Sequence, residues 1–361
     1  MRLKKFLMIT ICAVMFLSGC TIAEDILYAV TEELLYGDYE ETYNDYEDNI
    51  DHDFVSSGEM EVWFIDVGQG DSALIISPEG KTMLIDCGEY ESIDSVTGFL
   101  DKKGIDTLDV VIATHPHTDH MGGMATIFWD YEVKSVYMPY ASANTTAFEK
   151  MLEAIEEEGL KINLAKAGVS FDLGSVYAEM FGPCSDEYED VNDYSVIMKL
   201  TYGNISYLFT GDATTFAENE VLRSGADLSS NVLKVGHHGS NSSTSQEFLD
   251  VVDPDCAAIC VGANNDYGHP KERVLKRLTG IPIYRTDKLG TFCISTDGET
   301  LKTPDGELKP AVKSASDRYV YITENGSKYH TEDCIYFDED SEEIRESRAI
   351  ARGYEPCSKC A

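Results

Sequence analysis

Residues Leu108-Asp-Val-Val-Ile-Ala-Thr114 run directly into His115-Pro-His117-Thr-Asp119-His120, and Gly122-Gly123 follow. The first seven residues read as a buried strand, being short, apolar and rich in β-branched side chains. The next six hold three imidazoles and one carboxylate. Imidazole and carboxylate suit divalent transition metals, and this density exceeds what one ion usually takes from a single segment. The two glycines then allow close backbone approach before a helix. Chemistry at a strand end, with a helix behind it, points to a layered α/β domain.

Working outward, Glu61–Val67, Ser72–Ser77 and Thr82–Asp86 are short β-rich runs separated by Gly, Asp and Pro turns. Further strands fit Val196–Tyr202, Ser206–Thr210, Asn231–Val235 and Ala257–Val261. Helical spacing covers Ser92–Lys103, Thr145–Glu158, Thr214–Arg223, Ser245–Val251 and Lys271–Leu278, with glycine after the first two. Of the eight histidines, six lie in the opening cluster or at His237, His238 and His269. Two strand-rich halves with interleaved helices make one domain over 59–309.

The ordered set His-x-His-x-Asp-His, Thr210-Gly-Asp212 and Lys234-Val-Gly-His237-His238-Gly-Ser240 resembles the metallo-β-lactamase superfamily. Asp66-Val-Gly-Gln-Gly-Asp71-Ser, Leu84-Ile-Asp86-Cys-Gly88 and Tyr267-Gly-His269-Pro270 are similar to its ComEC-like, competence-type branch. The resemblance implies an αββα sandwich with a dinuclear site between two sheets. It implies that His115 and His117 bind one metal, Asp119 and His120 the other, and that Asp212 bridges them. His237 would complete the second site, with His238 a close competitor. Asp66 would support the ligands from behind, and Asp119, His238 and His269 would face the reaction. His238 and His269 could orient a phosphate, protonate a leaving oxygen or simply support the ligands.

One departure from the superfamily pattern matters. No histidine stands between His120 and His237, where many members supply another ligand to the first metal. Val191-Asn192-Asp193-Tyr194-Ser195 occupies that region and is similar to the Asn-containing ComEC version. The first ion would then take oxygen from Asn192, Asp193 or water, which brings manganese in beside zinc. The turn Gln69-Gly-Asp71-Ser72 either lines the site or is structural. Ser240, Ser242 and Ser243 fit a helix start as well as a phosphate contact.

Near the C-terminus, His330-x3-Cys334 and Cys357-x2-Cys360 are separated by 22 residues. Two ligand pairs suit a closed structural zinc site in a unit too small for a large core. Gly326-Ser-Lys-Tyr329-His330 and Gly353-Tyr-Glu-Pro-Cys357 make 318–361 similar to the Ada-type zinc-binding module, with His330 where that family commonly has Cys. Disulfide pairing of Cys334 is the alternative. The other cysteines, Cys87, Cys184, Cys256, Cys260 and Cys293, read as core thiols.

The N-terminus reads as an address. Arg2, Lys4 and Lys5 precede the apolar run Phe6–Leu17, which is too short for a membrane-spanning helix of about 20 residues. Leu17-Ser-Gly-Cys20 resembles a bacterial lipobox, which implies a signal peptide over 1–20, lipidation at Cys20 and a membrane-anchored, extracytoplasmic protein with no transmembrane helix in the mature chain. Residues 21–58 hold 12 acids and no Lys or Arg, the composition of an extended acidic tether.

Charge limits the partners. The chain is at −37, with 65 acids against 28 bases, and 59–309 alone holds 42 against 18. Such a body is poorly suited to gripping duplex DNA through a basic surface. The resemblance implies a hydrolase with two zinc or manganese ions that cleaves phosphoesters through metal-activated hydroxide. Short or single-stranded nucleic acid, or nucleotides, are the expected substrates. Phosphocholine or other cell-envelope phosphodiesters are the alternative, as is a surface-binding lipoprotein without catalysis.

Overall fold

Strand alternation in the first hairpin already builds two cores. The computed structural model describes residues 58–310 and, beyond them, 319–323, 326–332, 334, 336–337, 341–345, 349 and 354–360. The expectations for the signal peptide, Cys20 and the tether up to Ser57 lie outside the described residues. In β1 (Met60–Phe64) and β2 (Ala73–Ile76), Met60, Val62, Phe64, Ala73 and Ile75 face one apolar cluster. Leu74 and Ile76 face another, as a two-residue period requires.

β1, β2 and β3 (Thr82–Ile85) form an antiparallel meander. Helix α1 (Ile93–Lys103) and the short β4 (Thr107–Leu108) lead to β5 (Val110–Ile112), which lies parallel to β3. Helices α2 (Thr118–Met121) and α3 (Met124–Asp130), then β6 (Glu132–Val133) against β4, lead to β7 (Val136–Met138). Helix α4 (Thr146–Glu157) leads to β8 (Ile162–Leu164), and β7 and β8 both add in parallel.

The second half repeats this plan. β9 (Ser170–Leu173), β10 (Val176–Gly182), β11 (Ile197–Tyr202) and β12 (Ile205–Phe209) are antiparallel. β13 (Val232–Lys234), β14 (Cys256–Ile259) and β15 (Ile283–Arg285) then add in parallel. Their connections carry α5 (Thr215–Ser224), α6 (Gln246–Val252) and α7 (Glu272–Arg277). After the one-turn α8 (Thr286–Leu289), β16 (Phe292–Thr296) crosses back to pair with β1, and β17 (Leu301–Thr303) and β18 (Gly306–Leu308) extend that edge.

The result is a nine-stranded sheet, β18-β17-β16-β1-β2-β3-β5-β7-β8, and a seven-stranded sheet, β15-β14-β13-β12-β11-β10-β9. Met60, Phe64, Met180, Met198 and Tyr207 meet between them. The outer face of the first sheet packs on α1, α3 and α4 through Val96, Leu100, Phe128 and Ile155. The second packs on α5, α6 and α7 through Val221, Phe248 and Val274. This is the expected αββα sandwich. Strands β6–β10 and β15–β18 are additions to the sequence reading.

A four-stranded sheet, β21-β19-β20-β22, is built from β19 (Tyr319–Ile322), β20 (Lys328–His330), β21 (Glu342–Arg345) and β22 (Glu355–Pro356). Its core is Val320, Ile322, Tyr329 and Ala349. Cys184 is exposed and Cys293 half-buried, so the core-thiol reading holds for Cys87, Cys256 and Cys260 only. Among the described residues no helix is long and apolar enough to cross a membrane.

Candidate metal centre

The site lies where parallel strands end, because each such strand turns there into the connection that carries a helix. Asp86 follows β3, His115 follows β5, Asp212 follows β12 and His237-His238 follow β13. Asp119 and His120 sit on α2, one turn beyond His115. Ligand groups outside the carboxyl ends of parallel strands are the general rule for α/β sheets.

Four side chains converge. Nitrogen or oxygen atoms of Asp119, His120, Asp212 and His238 all lie within 4.8 Å of one another. His120 Nε2 approaches Asp212 Oδ1 at 3.2 Å, and His238 Nε2 lies 3.2 Å from Asp119 Oδ2 and 3.3 Å from Asp212 Oδ2. His120 Nε2 and Asp212 Oδ1 are buried without a hydrogen-bond partner among the described residues. Buried polar atoms are normally paired, so two left over and aimed at one point fit a cation. Next to this group, His115 Nε2 and His117 Nδ1 are 3.0 Å apart. No third His, Cys or carboxylate closes that pair into a compact set among the described residues, in keeping with the histidine missing from the sequence.

Of the two adjacent histidines, the geometry brings His238 into the group. His237 Nε2 stands 3.5 Å from Asp212 Oδ2, with a quarter of its side chain exposed, and its Nδ1 meets Ser242 Oγ at 3.2 Å. Both residues take left-handed backbone, φ 50° and 53°, a conformation that costs non-glycine residues about 1–3 kcal/mol. That conformation turns the two rings apart, 77° between their planes.

Behind the ligands are carboxylates the sequence reading left without a role. Asp86 Oδ2 takes His120 Nδ1 at 2.8 Å and Thr114 Oγ1 at 2.7 Å. His238 Nδ1 bonds to the Cys260 carbonyl oxygen at 3.0 Å, with Asp71 Oδ1 at 3.1 Å beside it as a nearby charge, and the other Asp71 oxygen pairs with the buried Lys234 ammonium. An acceptor on the far ring nitrogen, the Asp86 carboxylate for His120 and the Cys260 carbonyl for His238, fixes the tautomer and aims the near nitrogen at the metal. Asp66 does not do this. Its Oδ1 accepts from Gly68 N at 3.1 Å and shapes the following turn. Asp71 is brought in by Gly70, at φ 144°, where a Cβ would stand 2.3 Å from the Asp119 carbonyl oxygen.

The remaining expected residues divide. Asp193 is occupied elsewhere, accepting from Thr214 N and Oγ1 at 3.1 and 2.6 Å. Asn192 Oδ1 is buried with no partner among the described residues, three positions before Ser195, whose Oγ accepts from Asp212 N at 3.0 Å. His269 stands beside the site, ring centroids 5.8 Å from His237 and 6.5 Å from His238. Ser245, not Ser240, Ser242 or Ser243, caps α6 by accepting from Phe248 N.

Electrostatics follow the geometry. Burial alone would push the Asp212 and Asp119 carboxyls up, but the histidines, led by His238, hold both well below the usual carboxylate range. Burial opposes protonation of His120 and His238, yet Asp212 with Asp86, and Asp212 with Asp71, raise them well above the usual imidazole value. A field that favours a proton there favours a metal cation in its place. His115 is driven well below its usual value by burial and then by His120, leaving a neutral ring with a free lone pair.

In the C-terminal unit, donor atoms of His330, Cys334, Cys357 and Cys360 also fall within 4.8 Å of one another. His330 Nδ1 is 3.3 Å from Cys334 Sγ, and Cys334 Sγ is 4.0 Å from Cys357 Sγ. A tetrahedral zinc with bonds of ~2.3 Å spaces its sulfurs about 3.8 Å apart, whereas a disulfide needs ~2.05 Å. The three thiols are free, so the geometry fits metal and not a disulfide.

The sequence matches the metallo-beta-lactamase superfamily over residues 65–263. It is 34% identical over 255 residues to "ComE operon protein 3" of Bacillus subtilis, covering 65% of this chain and 33% of that protein. It is 30% identical over 242 residues to "Competence protein ComA" of Neisseria gonorrhoeae, covering 66% and 32%. The chain thus spans about a third of the length of these curated relatives. Among solved structures, the metallo-beta-lactamase fold protein YhfI of Bacillus subtilis aligns with a TM-score of 0.46 at 12% identity, over 66% of this chain and all of that one. With the matched region enclosing most of the αββα body and its ligand cluster, the chain belongs to the metallo-beta-lactamase superfamily.

Proposed function

We propose that this protein is a lipid-anchored, extracytoplasmic phosphodiesterase that acts with two divalent ions on nucleic acid or nucleotides. The observation that carries this reading is the convergence of Asp119, His120, Asp212 and His238 beside the His115–His117 pair. Competence proteins among the relatives support a nucleic-acid substrate. The lipobox-like Leu17-Ser-Gly-Cys20 supports the anchor.

Asp119, His120 and His238 would hold one ion, His115 and His117 the other, with Asp212 shared and Asn192 Oδ1 as an oxygen donor to the second. The nitrogen-oxygen donor set suits zinc and manganese alike. When bound, two such ions lower the pKa of water and neutralise charge on a phosphoryl group. Asp119, 27% exposed, is the ligand that faces the cleft, and its ionised Oδ2 can orient a water proton. His237 sits at the mouth as a neutral ring, since burial lowers it and Asp212 only partly offsets this. Its Nε2 can receive the proton of an incoming group or contact a phosphate oxygen. His330, Cys334, Cys357 and Cys360 would hold a structural zinc.

The test is a substrate panel on the metal-loaded protein: single-stranded DNA, RNA, a cyclic dinucleotide, a phosphocholine diester and a lactone. Asp212→Ala should lose hydrolysis by at least about 10²–10³-fold, the scale of removing one charge stabiliser. It should also lose metal relative to the parent protein, while the C-terminal ion stays. Undiminished hydrolysis in that variant would sink the shared-ligand assignment. The strongly acidic body favours a second reading, a phosphocholine or envelope phosphodiesterase reached through screening cations. Preference for the phosphocholine diester would select it. Metal in the C-terminal unit alone, with no hydrolysis, would select a surface-binding protein.

A further inference from the structure

One large aromatic side chain beside the site packs nothing beneath its outer face. Tyr267 is 65% exposed. Its ring lies on His269 with centroids 5.7 Å apart and planes within 23°. His269 in turn lies on His238 at 6.5 Å and 29°. The three rings therefore form a tilted ladder that starts at a metal-centre histidine and ends in solvent with a bare phenol face. An exposed tyrosine on a soluble surface is common, but this one is built in.

The loop that carries it is tied down at both ends. Asn265 Nδ2 donates to Gly262 O and His269 O at 2.9 and 2.8 Å, and Asn265 Oδ1 accepts from His269 N at 2.9 Å. Gly262 N donates to Gln69 Oε1 at 3.2 Å, fastening the loop to the turn that delivers Asp71. Lys271 Nζ donates to the Tyr267 carbonyl, and Lys271 N to Gly239 O at 2.9 Å, next to His238. The sequence beyond also changes sign. Lys271-Glu-Arg-Val-Leu-Lys-Arg277 carries four bases and one acid in a chain at −37. Arg273 and Lys276 are exposed there.

A rigid, exposed aromatic face next to the proposed phosphoryl-binding centre, with the Lys271 ammonium on its own carbonyl, matches one ligand chemistry: a nucleobase whose phosphodiester continues past it. Base–aromatic stacking is worth about 1–3 kcal/mol per base and tolerates any sequence. A choline headgroup needs several aromatic walls around its cation, and this ladder offers one open face. We propose that Tyr267, backed by His269, is the stacking platform that holds the base flanking the scissile phosphate, and that it makes the site select single-stranded, base-bearing phosphodiesters. This rests on the phosphodiesterase reading above and specifies its substrate.

The experiment uses the metal-loaded full chain with a thymidine oligomer, an abasic oligomer of equal length, and an oligomer bearing 2-aminopurine, whose fluorescence falls on stacking. Wild type should quench 2-aminopurine on binding, Tyr267→Phe should keep the quench, and Tyr267→Ala should lose it. The preference in kcat/KM for the thymidine over the abasic oligomer should collapse by about 5–150-fold in Tyr267→Ala, the fold-change equivalent of one stacked base. Absence of quench in wild type, or an equal quench in Tyr267→Ala, overturns the platform even when cleavage is normal. A Tyr267-dependent quench with no cleavage of any oligomer leaves the platform standing and removes the hydrolytic reading.

Discussion

At the residue scale, the Lys234–Asp71–His238 line explains why a lysine is buried at the end of β13. Asp71 is drawn upward by burial, and Lys234, with His238 and His120 behind it, more than reverses this and holds the carboxyl below its usual range. Burial works against the Lys234 ammonium, and Asp71 keeps it charged. Removing one partner of such a pair leaves an uncompensated buried charge, at about 3–5 kcal/mol. Asp71→Asn should therefore destabilise the protein on that scale and weaken metal binding about 10–100-fold, as lost support behind a ligand does. Lys234→Met should also destabilise, and the double variant should lose less than the sum of the two. Urea unfolding and metal titration of the three variants check this, and additive losses would dismiss the coupling. The ligands themselves were legible because four of them share one six-residue segment. Asp71, Asp86 and Lys234 were visible as motif letters, yet their partners lie far along the chain, and only the folded strands bring them together. The choice between His237 and His238 was equally out of reach, since it turns on two left-handed residues in succession.

At the element scale, the loop after β13 holds its strained histidines because α5 reaches across to it. Glu218 is buried on α5 and accepts from Thr244 N and from Ser245 N, the latter at 3.0 Å. Gly236 N donates to Thr244 Oγ1 at 3.2 Å and His237 N to Gly211 O at 3.1 Å, so the loop is closed on both sides. Glu218→Ala would leave the buried Thr244 amide and the half-buried Ser245 amide unpaired, the first worth about 1–3 kcal/mol and the second less. We expect a loss of about 2–5 kcal/mol in unfolding free energy, together with weaker metal binding at the His238 site and an unchanged C-terminal site. Denaturation with and without added metal reads both quantities. An unchanged metal affinity would mean the loop needs no such anchor. Helices were legible here because Thr145, Thr214 and Ser245 each cap one, with the first apolar residue just behind. Strands β7 and β8 were not: they are as short as β5 and β13, but neither leads into a ligand motif that would mark it. β16 was missed for another reason: its partner β1 lies at the other end of the domain, and no local pattern announces that closure.

At the scale of the whole molecule, charge decides how a substrate arrives. The 59–309 body holds 42 acids against 18 bases, so an oligonucleotide, the proposed substrate, would approach through a repulsive field before it met any local contact. The reach of that field depends on salt. The screening length is about 30 Å at 0.01 M and about 8 Å at 0.15 M. At low salt the anion feels the net charge of the entire body. At physiological salt it would feel chiefly what lies within about 8 Å of the cleft, where Lys271, tied to Gly239 beside His238, and the two proposed ions supply positive charge. Raising salt from about 10 to 150 mM at fixed metal concentration should therefore increase kcat/KM for a long thymidine oligomer. The increase should shrink as the oligomer is shortened and nearly vanish for a dinucleotide. A protein that grips DNA through a basic track behaves in the opposite way, because released counterions then favour low salt. Steady-state rates across that salt series, at three substrate lengths, distinguish the two. A rate that falls steeply with salt for the long oligomer would mean that a cationic path on this acidic body governs binding, and the short-substrate reading would fail with it.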